Sequence, residues 1–178
     1  MQKIYILVGS SGSGKTTLME ELTKRNPGFA IVKSVTTRKP RGVPEPNYRF
    51  VSPEEFENLK KEGGLLEWST YAGNSYGTAI SDMEAVLASG KNAIKAMNLP
   101  GALAAKQAFG DKCVTIFLKR HRDQLIRSIL DRKTEDADII ARIGYLTKEK
   151  DQDGDCDEVL CNDGTVEDLY QKFIHLCV

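Results

Sequence analysis

The sequence predicts a three-layer α/β fold, in which helices cover both faces of a parallel central sheet. Short, nearly continuous apolar runs alternate with amphipathic helical patterns, which is typical of parallel strands joined by crossover helices. A glycine-rich segment follows the first apolar run, and a proline-rich stretch interrupts the alternation soon afterwards. The predicted strands are Ile4–Val8, Phe29–Val35, Asn92–Met97, Val114–Leu118 and Glu158–Cys161.

The predicted helices occupy the segments between these strands. The first spans Thr16–Lys24 and has helical spacing of its apolar residues. The second begins after Ser52, an N-cap followed by Pro53 at the first helical position and by Glu55 closing a capping box. The others are Ser81–Ala88, Gly101–Phe109, Arg122–Leu130, Ala137–Lys148 and Thr165–Leu176.

The middle of the chain differs from this alternation. Residues 34–80 are rich in strand and turn signals, with a hairpin turning at Gly73-Asn74, and we expect them to form an insertion. Residues 131–138 are polar or alanine, a composition typical of a mobile flap. The 178 residues fit one domain, whose predicted parts are a core (1–33 and 81–178), an insertion (34–80) and a lid (about 131–143).

Composition excludes several classes of protein. Lys plus Arg and Asp plus Glu number 25 each, so no overall charge attracts a nucleic acid polymer or an anionic membrane. No apolar run reaches membrane-spanning length, and the glycine-rich segment begins at Gly9, too soon for a signal peptide. The four cysteines and two histidines show no zinc spacing. We expect a cytoplasmic protein with reduced cysteines, either a monomer or a homodimer.

The strongest motif is "GSSGSGKT", which satisfies the phosphate-loop pattern between a strand and a helix. Glycines allow backbone N–H groups to surround phosphate oxygens, and the helix N-terminus adds partial positive charge. Lys15 would reach the β- and γ-phosphates of ATP, and the Thr16 hydroxyl would ligate Mg²⁺. The predicted ATP-binding residues here are Gly9, Ser10, Ser11, Gly12, Ser13, Gly14, Lys15, Thr16 and Thr17.

A second anion site is predicted in "KSVTTRKPRGVPEPNYRF", Lys33 to Phe50. Its prolines exclude a helix, while its arginines, hydroxyls and tyrosine are concentrated in a chain without net charge. A solvated basic loop is the plainer interpretation of this stretch alone. No base-recognition motif of the Asn-Lys-x-Asp type found in GTPases is present. Together with the phosphate loop, these features favour phosphoryl transfer to a small acceptor over hydrolysis.

The sequence resembles guanylate kinases from about Lys3 to the C-terminus, through "GSSGSGKTT", "SVTTRKPR", "NYRFVSPEEFE", "LLEWSTYAGNSYGT" and "VLCND" in that order. The resemblance implies a P-loop kinase fold with an inserted GMP-binding subdomain and a small lid. It also implies ATP-dependent, Mg²⁺-assisted conversion of GMP or dGMP to the diphosphate. The residues that would hold the acceptor phosphate are Ser34, Arg38, Arg41, Tyr48 and Tyr76.

The resemblance also implies how the guanine base is selected. Glu67 would accept hydrogen bonds from guanine N1–H and N2–H₂, whereas adenine N1 would face the carboxylate lone pairs. Thr78 would donate to guanine O6. Asn162 matches a family position near the adenine of ATP. Each of these side chains taken alone has an ordinary structural explanation, and only their order beside a phosphate loop favours a functional one.

Two arginines, Arg132 and Arg142, match those that the family's lid places over the transferring phosphate, with Arg127 as the alternative position. In the loose transition state, charge spreads over the equatorial oxygens, and guanidiniums from a closing lid would stabilise it while excluding water. We therefore expect Lys15, Arg132 and Arg142 to be the catalytic residues. No general base is required, because the acceptor phosphate is already a nucleophilic oxyanion.

The family pattern is broken at "NAIKAMNLPG". Guanylate kinases carry two carboxylates two residues apart on this strand, and this chain has Ala96 and Asn98 instead. We expect both side chains on the same face of the strand, with Asn98 contributing to the acceptor site. The change leaves three interpretations: a guanylate kinase that tolerates the loss, a kinase for another acceptor such as ribose 1,5-bisphosphate, or a non-catalytic binding module.

Overall fold

A computed structural model describes residues 2–131, 139 and 153–177. Within these residues the chain forms nine strands and six α-helices. The strands are β1 (Ile4–Val8), β2 (Phe29–Ile31), β3 (Ser34–Thr36), β4 (Tyr48–Phe50), β5 (Leu65–Tyr71), β6 (Asn74–Ala79), β7 (Asn92–Ala96), β8 (Cys113–Lys119) and β9 (Glu158–Cys161). The helices are α1 (Lys15–Arg25), α2 (Pro53–Lys61), α3 (Ile80–Ala88), α4 (Leu99–Phe109), α5 (Arg122–Leu130) and α6 (Val166–Cys177).

The central sheet has the order β2-β7-β1-β8-β9, and all its pairs are parallel. Its strand β1 is buried throughout. On one face, Leu18 of α1 and Phe173 of α6 join the core, and on the other face Met83 of α3 and Ala102 of α4 do so. The predicted three-layer α/β architecture is therefore confirmed.

A second sheet has the order β4-β3-β6-β5. Strands β3 and β4 are parallel, whereas β6 pairs antiparallel with both β3 and β5. The β5–β6 hairpin turns at Ala72-Gly73, one residue before the predicted Gly73-Asn74, and both loop residues have positive φ, as a type I′ turn requires. Phe56 of α2 packs against Val35 and Leu65 on this sheet. The second sheet consequently has its own small apolar core.

The predicted strand Phe29–Val35 is wrong as a single element. Its first part is β2, and the Val32 N–H still donates to the Ile94 carbonyl of the central sheet at 3.0 Å. Two residues later the Ser34 N–H donates to the Asn47 carbonyl at 2.8 Å, beside the parallel β3–β4 pair. The chain changes sheets within an uninterrupted run of strand-forming residues, and periodicity does not indicate such a change.

The helix caps follow the sequence closely. The Ser52 hydroxyl accepts the Glu55 N–H at 3.0 Å, as predicted for the start of α2. At the start of α6, Thr165 and Asp168 form reciprocal side-chain-to-backbone hydrogen bonds.

The predicted helix Ala137–Lys148 falls almost wholly outside the described residues, and the division into core, insertion and lid remains a prediction. Among the described residues, no helix is long and apolar enough to cross a membrane.

Candidate active site

The phosphate loop connects β1 to α1 in a conformation that only glycine adopts easily. Gly14 precedes α1 with a φ of 101°, and a Cβ atom there would lie 2.5 Å from Asn162 Nδ2. Gly9 has a φ of 141°, and its Cβ would lie 2.6 Å from the Leu118 carbonyl oxygen. The first turn of α1 has no acidic residue, so the positive end of the helix dipole is not neutralised there.

Lys15 lies across this loop. Its Nζ donates to the carbonyl oxygens of Gly9 at 2.5 Å and Ser10 at 2.9 Å, and to Ser13 Oγ at 3.4 Å. A tight turn inside the loop is closed by the Ser13 N–H, which donates to the Ser10 carbonyl at 3.1 Å. The ammonium group is therefore held at the mouth of the loop, where an incoming phosphate would meet it.

A cavity of about 430 Å³ opens at the loop and the start of α1. Arg120, which follows β8, forms part of its wall and was not predicted. Its Nη1 donates to the Gly12 carbonyl at 2.9 Å and to Ser128 Oγ at 2.7 Å. The sequence did offer one indication of this role, because Arg120 follows directly after β8, the strand beside β1, and ligands of parallel sheets bind at the carboxyl ends of the strands. The cavity is lined by Ser11, Gly12, Gly14, Lys15, Thr16, Thr17, Arg120 and Ser128.

Asn162 supports the loop from behind. Its side chain is buried, and Nδ2 donates to the Ser13 carbonyl at 2.8 Å. Its backbone N–H continues the β8–β9 pairing by donating to the Lys119 carbonyl at 2.8 Å. These contacts explain an asparagine here on structural grounds. The expected position near adenine remains a prediction.

The basic stretch of the insertion is organised around one carboxylate. Glu45 accepts two hydrogen bonds from the Arg38 guanidinium and one from the Arg41 N–H, the last at 2.9 Å. Only 13 % of the Arg38 side chain and 10 % of the Glu45 side chain are exposed, so the pair is largely shielded from water. The hydrogen bond from Arg38 lowers the pKa of Glu45. The Arg38–Glu45 pair is therefore a shielded ion pair within the loop, whereas residues 39–44 between its two members are exposed to solvent.

Both predicted tyrosines lie near Arg38. The guanidinium carbon of Arg38 is 5.2 Å from the ring centre of Tyr48 and 5.3 Å from that of Phe50. Tyr76 of β6 pairs in register with Thr36 of β3, two residues before Arg38. The side chain of Arg41, in contrast, is exposed. The structure thus brings Tyr48 and Tyr76 close to Arg38.

Glu67 and Thr78 face each other across the β5–β6 pair. The Thr78 hydroxyl is fully buried and donates to Glu67 Oε1 at 2.9 Å. Glu67 also packs against the first turn of α4, because a Cβ on Gly101 would lie 2.8 Å from Glu67 Cγ. The predicted pair is brought together, but the single hydroxyl proton of Thr78 is donated to Glu67 here.

Ser34 is joined to a residue that the sequence did not suggest. Its Oγ accepts a 2.6 Å hydrogen bond from Nζ of Lys95, a lysine of β7 that is only 7 % exposed. Burial lowers the pKa of Lys95 to about 8, although the negative charges of Glu67 and Asp82 act in the opposite direction. An isolated lysine within an apolar run gave the only signal in the sequence.

The expectation that Ala96 and Asn98 project from one strand is wrong for Asn98. Strand β7 ends at Ala96, and Asn98 is the N-cap of α4. Its Oδ1 accepts the Gly101 N–H at 2.9 Å, since Leu99-Pro100 begins a helix directly after it. Period-2 spacing does not extend past the end of a strand. Asn98 nevertheless lies beside Glu67, through their shared neighbour Gly101.

The predicted lid residues Arg132 and Arg142 lie outside the described residues. Arg127, the alternative position, is exposed on α5. Among the described residues, no group of three or more His, Cys, Asp or Glu side chains could hold a metal ion.

Comparison with known proteins shows which family model and which relatives this chain matches. The family model described as "Guanylate kinase" matches residues 1–176. A guanylate kinase of Parasynechococcus marenigrum is 38 % identical over 180 residues, which cover 99 % of this chain and 96 % of the relative. A guanylate kinase of a Synechococcus species is 37 % identical over 176 residues, covering 95 % of this chain and 79 % of that one.

Two solved structures share the fold. A guanylate kinase from Anaplasma phagocytophilum superposes with a TM-score of 0.68 at 21 % identity, covering 99 % of this chain and 84 % of that one. A sugar kinase from a Janibacter species gives a TM-score of 0.52 at 13 % identity, covering 98 % and 94 %. At these identities the likeness concerns the fold alone.

Proposed function

The chain belongs to the guanylate kinase family, and from this premise we propose which of its residues carry out the ATP-dependent phosphorylation of GMP. The observation that supports the assignment most is the phosphate loop, with Lys15 across its mouth and a cavity of about 430 Å³ beside it. This volume is within the range usual for small-molecule sites.

The donor ATP would place its phosphates in this cavity. Backbone N–H groups of the loop and the start of α1 would surround the phosphate oxygens, and Lys15 would exchange its loop carbonyl partners for the β- and γ-phosphates. Arg120 would add a second positive charge to the same wall, from a guanidinium already fixed by Gly12 and Ser128. Thr17 and Asn162 complete the proposed ATP-binding set.

Mg²⁺ fits the residues present, provided that nucleotide oxygens and water supply most of its ligands. Thr16 lines the cavity, and its hydroxyl oxygen is a hard ligand of the kind that Mg²⁺ accepts. Bound Mg²⁺ would neutralise charge on the β- and γ-phosphates. Ala96 contributes no carboxylate, so this chain relies more heavily on Lys15 and Arg120 for positive charge and orientation.

The acceptor phosphate would bind at the end of the second sheet. Two guanidiniums, Arg38 and Arg41, would pair with its charge, while the hydroxyls of Ser34, Tyr48 and Tyr76 would add neutral donors. Glu45 already holds Arg38 in place, which reduces the entropy lost on binding. Arg41 has the exposed side chain of the two and would turn inward.

The guanine base would bind between Glu67 and α4. The Glu67 carboxylate would accept from N1–H and N2–H₂, and the Thr78 hydroxyl would rotate from Glu67 to donate to O6. Asn98 also lies against Gly101, beside Glu67, and would contact the base from the helix terminus. With adenine, the lone pair of N1 would face the Glu67 carboxylate. A site built to hydrogen-bond its substrate rejects such a base strongly, because its own polar groups are left unpaired.

In the reaction, an oxygen of the acceptor phosphate attacks the γ-phosphorus of ATP, the bond to the β–γ bridging oxygen breaks, and ADP leaves. Arg132 and Arg142 are proposed to stabilise the charge that spreads over the three equatorial oxygens. Positioning of the two nucleotides supplies most of the remaining acceleration.

The test is an acceptor panel read by ADP production with ATP and Mg²⁺. We expect turnover with GMP and dGMP, and much less with AMP, UMP or ribose 1,5-bisphosphate. Lys15→Met should abolish it, while Lys24→Met, an exposed lysine of the same helix, should not. Preference for the ribose compound would overturn the acceptor assignment, and silence with every acceptor would indicate a binding module.

A further inference from the structure

The most unusual group outside the proposed catalytic set is Lys95. It lies on β7 with only 7 % of its surface exposed, on the face of the sheet that holds Val32, Met83 and Met97. A buried ammonium costs several kcal/mol of desolvation unless hydrogen bonds compensate it. Methionine or leucine would fill this space without that cost, so the charge calls for an explanation.

The contacts of Lys95 lie at the point where the chain changes sheets. Its Nζ donates to the Val32 carbonyl at 3.0 Å and to Ser34 Oγ at 2.6 Å. Val32 still bonds to the central sheet, and Ser34 begins β3 of the second sheet. Lys95 therefore connects a core strand to the first residue of the proposed acceptor site.

We propose that Lys95 is a positioning residue for the acceptor phosphate, acting by fixing the Ser34 hydroxyl as a hydrogen-bond donor. An ammonium group only donates, so Ser34 Oγ must accept from it. The hydroxyl proton of Ser34 is then directed to another acceptor, and a phosphate oxygen is the acceptor that the proposed function supplies. The inference rests on that proposed function and extends it to a residue that does not itself touch the substrate.

The charged groups around Lys95 determine how its protonation changes when a ligand binds. Glu67 of β5 and Asp82 of α3 both favour its charged form, and Asp82 is also bonded to Arg49 Nε of β4 at 3.0 Å. Across the sheet its register partner is the apolar Ile6 of β1. A phosphate dianion bound at Ser34 would add negative charge to this set and favour protonated Lys95 further.

The experiment measures GMP binding by calorimetry at pH 8 without ATP, for the wild type, Lys95→Met, Lys95→Gln, Ser34→Ala and the Lys95→Met/Ser34→Ala double variant. Each single change should weaken GMP binding about tenfold, as expected for loss of a charge-assisted hydrogen bond. The double variant should bind no more weakly than Ser34→Ala, because Lys95 acts through Ser34. ATP affinity should stay unchanged in all of them, and thermal unfolding identifies any variant that fails to fold.

A second readout separates positioning from packing. Repeating the titration in two buffers of different ionisation enthalpy should show proton uptake when the wild type binds GMP at pH 8, and none for Lys95→Met. Unchanged GMP binding in both Lys95 variants, or additive losses in the double variant, would overturn the inference while leaving GMP as the acceptor. A wild type that fails to bind GMP would overturn the proposed function itself.

Discussion

At the proposed acceptor site, single side chains would decide which base binds, and Glu67 is the residue proposed to select guanine. In Glu67→Gln the amide offers one acceptor and one donor, so guanine loses a hydrogen bond while adenine N1 gains a donor. We expect kcat/KM for GMP to fall by about tenfold to hundredfold and the GMP-to-AMP preference to shrink. Steady-state ADP release with both acceptors measures this. Glu84→Gln, an exposed carboxylate of α3, is the control, and an unchanged preference in Glu67→Gln would exclude Glu67 as the base-selecting residue.

The sequence predicted which of these side chains lie together better than it predicted their hydrogen-bond partners. Arg38, Tyr48 and Tyr76 do converge, and Glu67 does meet Thr78, since motifs fix residue types at fixed spacing. Neither the Arg38–Glu45 pair nor the Lys95–Ser34 bond was foreseen. Both depend on tertiary contacts between segments, and a single sequence gives no direct information about those.

At the scale of elements, local rules predicted best where one element stands alone. The helix cap at Ser52 and the phosphate-loop junction each follow from a few neighbouring residues. The rules failed where one element passes directly into the next. The run 29–35 divides between two sheets, and Asn98 caps a helix, although its side chain was expected on the same face of the strand as Ala96.

The junction of the phosphate loop with β9 provides a prediction at this scale. Asn162→Ala removes the donor to the buried Ser13 carbonyl, and an unsatisfied buried group costs about 1–3 kcal/mol of unfolding free energy. We expect that loss in chemical denaturation, together with weaker ATP binding and unchanged GMP binding, because only the donor loop is loosened. Asn58→Ala, on the exposed face of α2, is the matched control. Equal weakening of both nucleotides would contradict a role confined to the loop.

At the scale of the whole molecule, polar links join the second sheet to the elements around the central sheet. Lys95 of the central sheet bonds to Ser34, and Arg49 of β4 bonds to Asp82 of α3. A rearrangement of one sheet relative to the other would therefore alter these bonds directly. Most of the proposed acceptor residues lie on or beside the second sheet, and the phosphate loop follows a strand of the central sheet, so these links would also help to set the relative position of the two proposed substrates.

The buried charge of Lys95 gives the molecule a specific dependence of stability on pH. Its pKa of about 8 in the folded protein lies below the value of about 10.4 expected for an unfolded lysine. Between these values the unfolded chain binds the proton that the folded protein has released, so the free energy of unfolding rises with pH. Lys95 can raise the free energy of unfolding by about 3 kcal/mol at most over this pH range. Below pH 8 this gain is absent, because Lys95 is then protonated in both states.

Urea denaturation at pH 7.5 and at intervals up to about pH 10 measures this dependence. Lys95→Met is the reference, because the contributions of the other titrating groups cancel in the difference between the two proteins. The difference in unfolding free energy between the wild type and Lys95→Met should shift in favour of the wild type as pH increases. Saturating GMP should reduce this pH dependence of the difference, because a bound phosphate raises the pKa of Lys95 toward its unfolded value. A difference that stays constant across the range would show that Lys95 retains an ordinary pKa in the folded protein and would contradict this prediction.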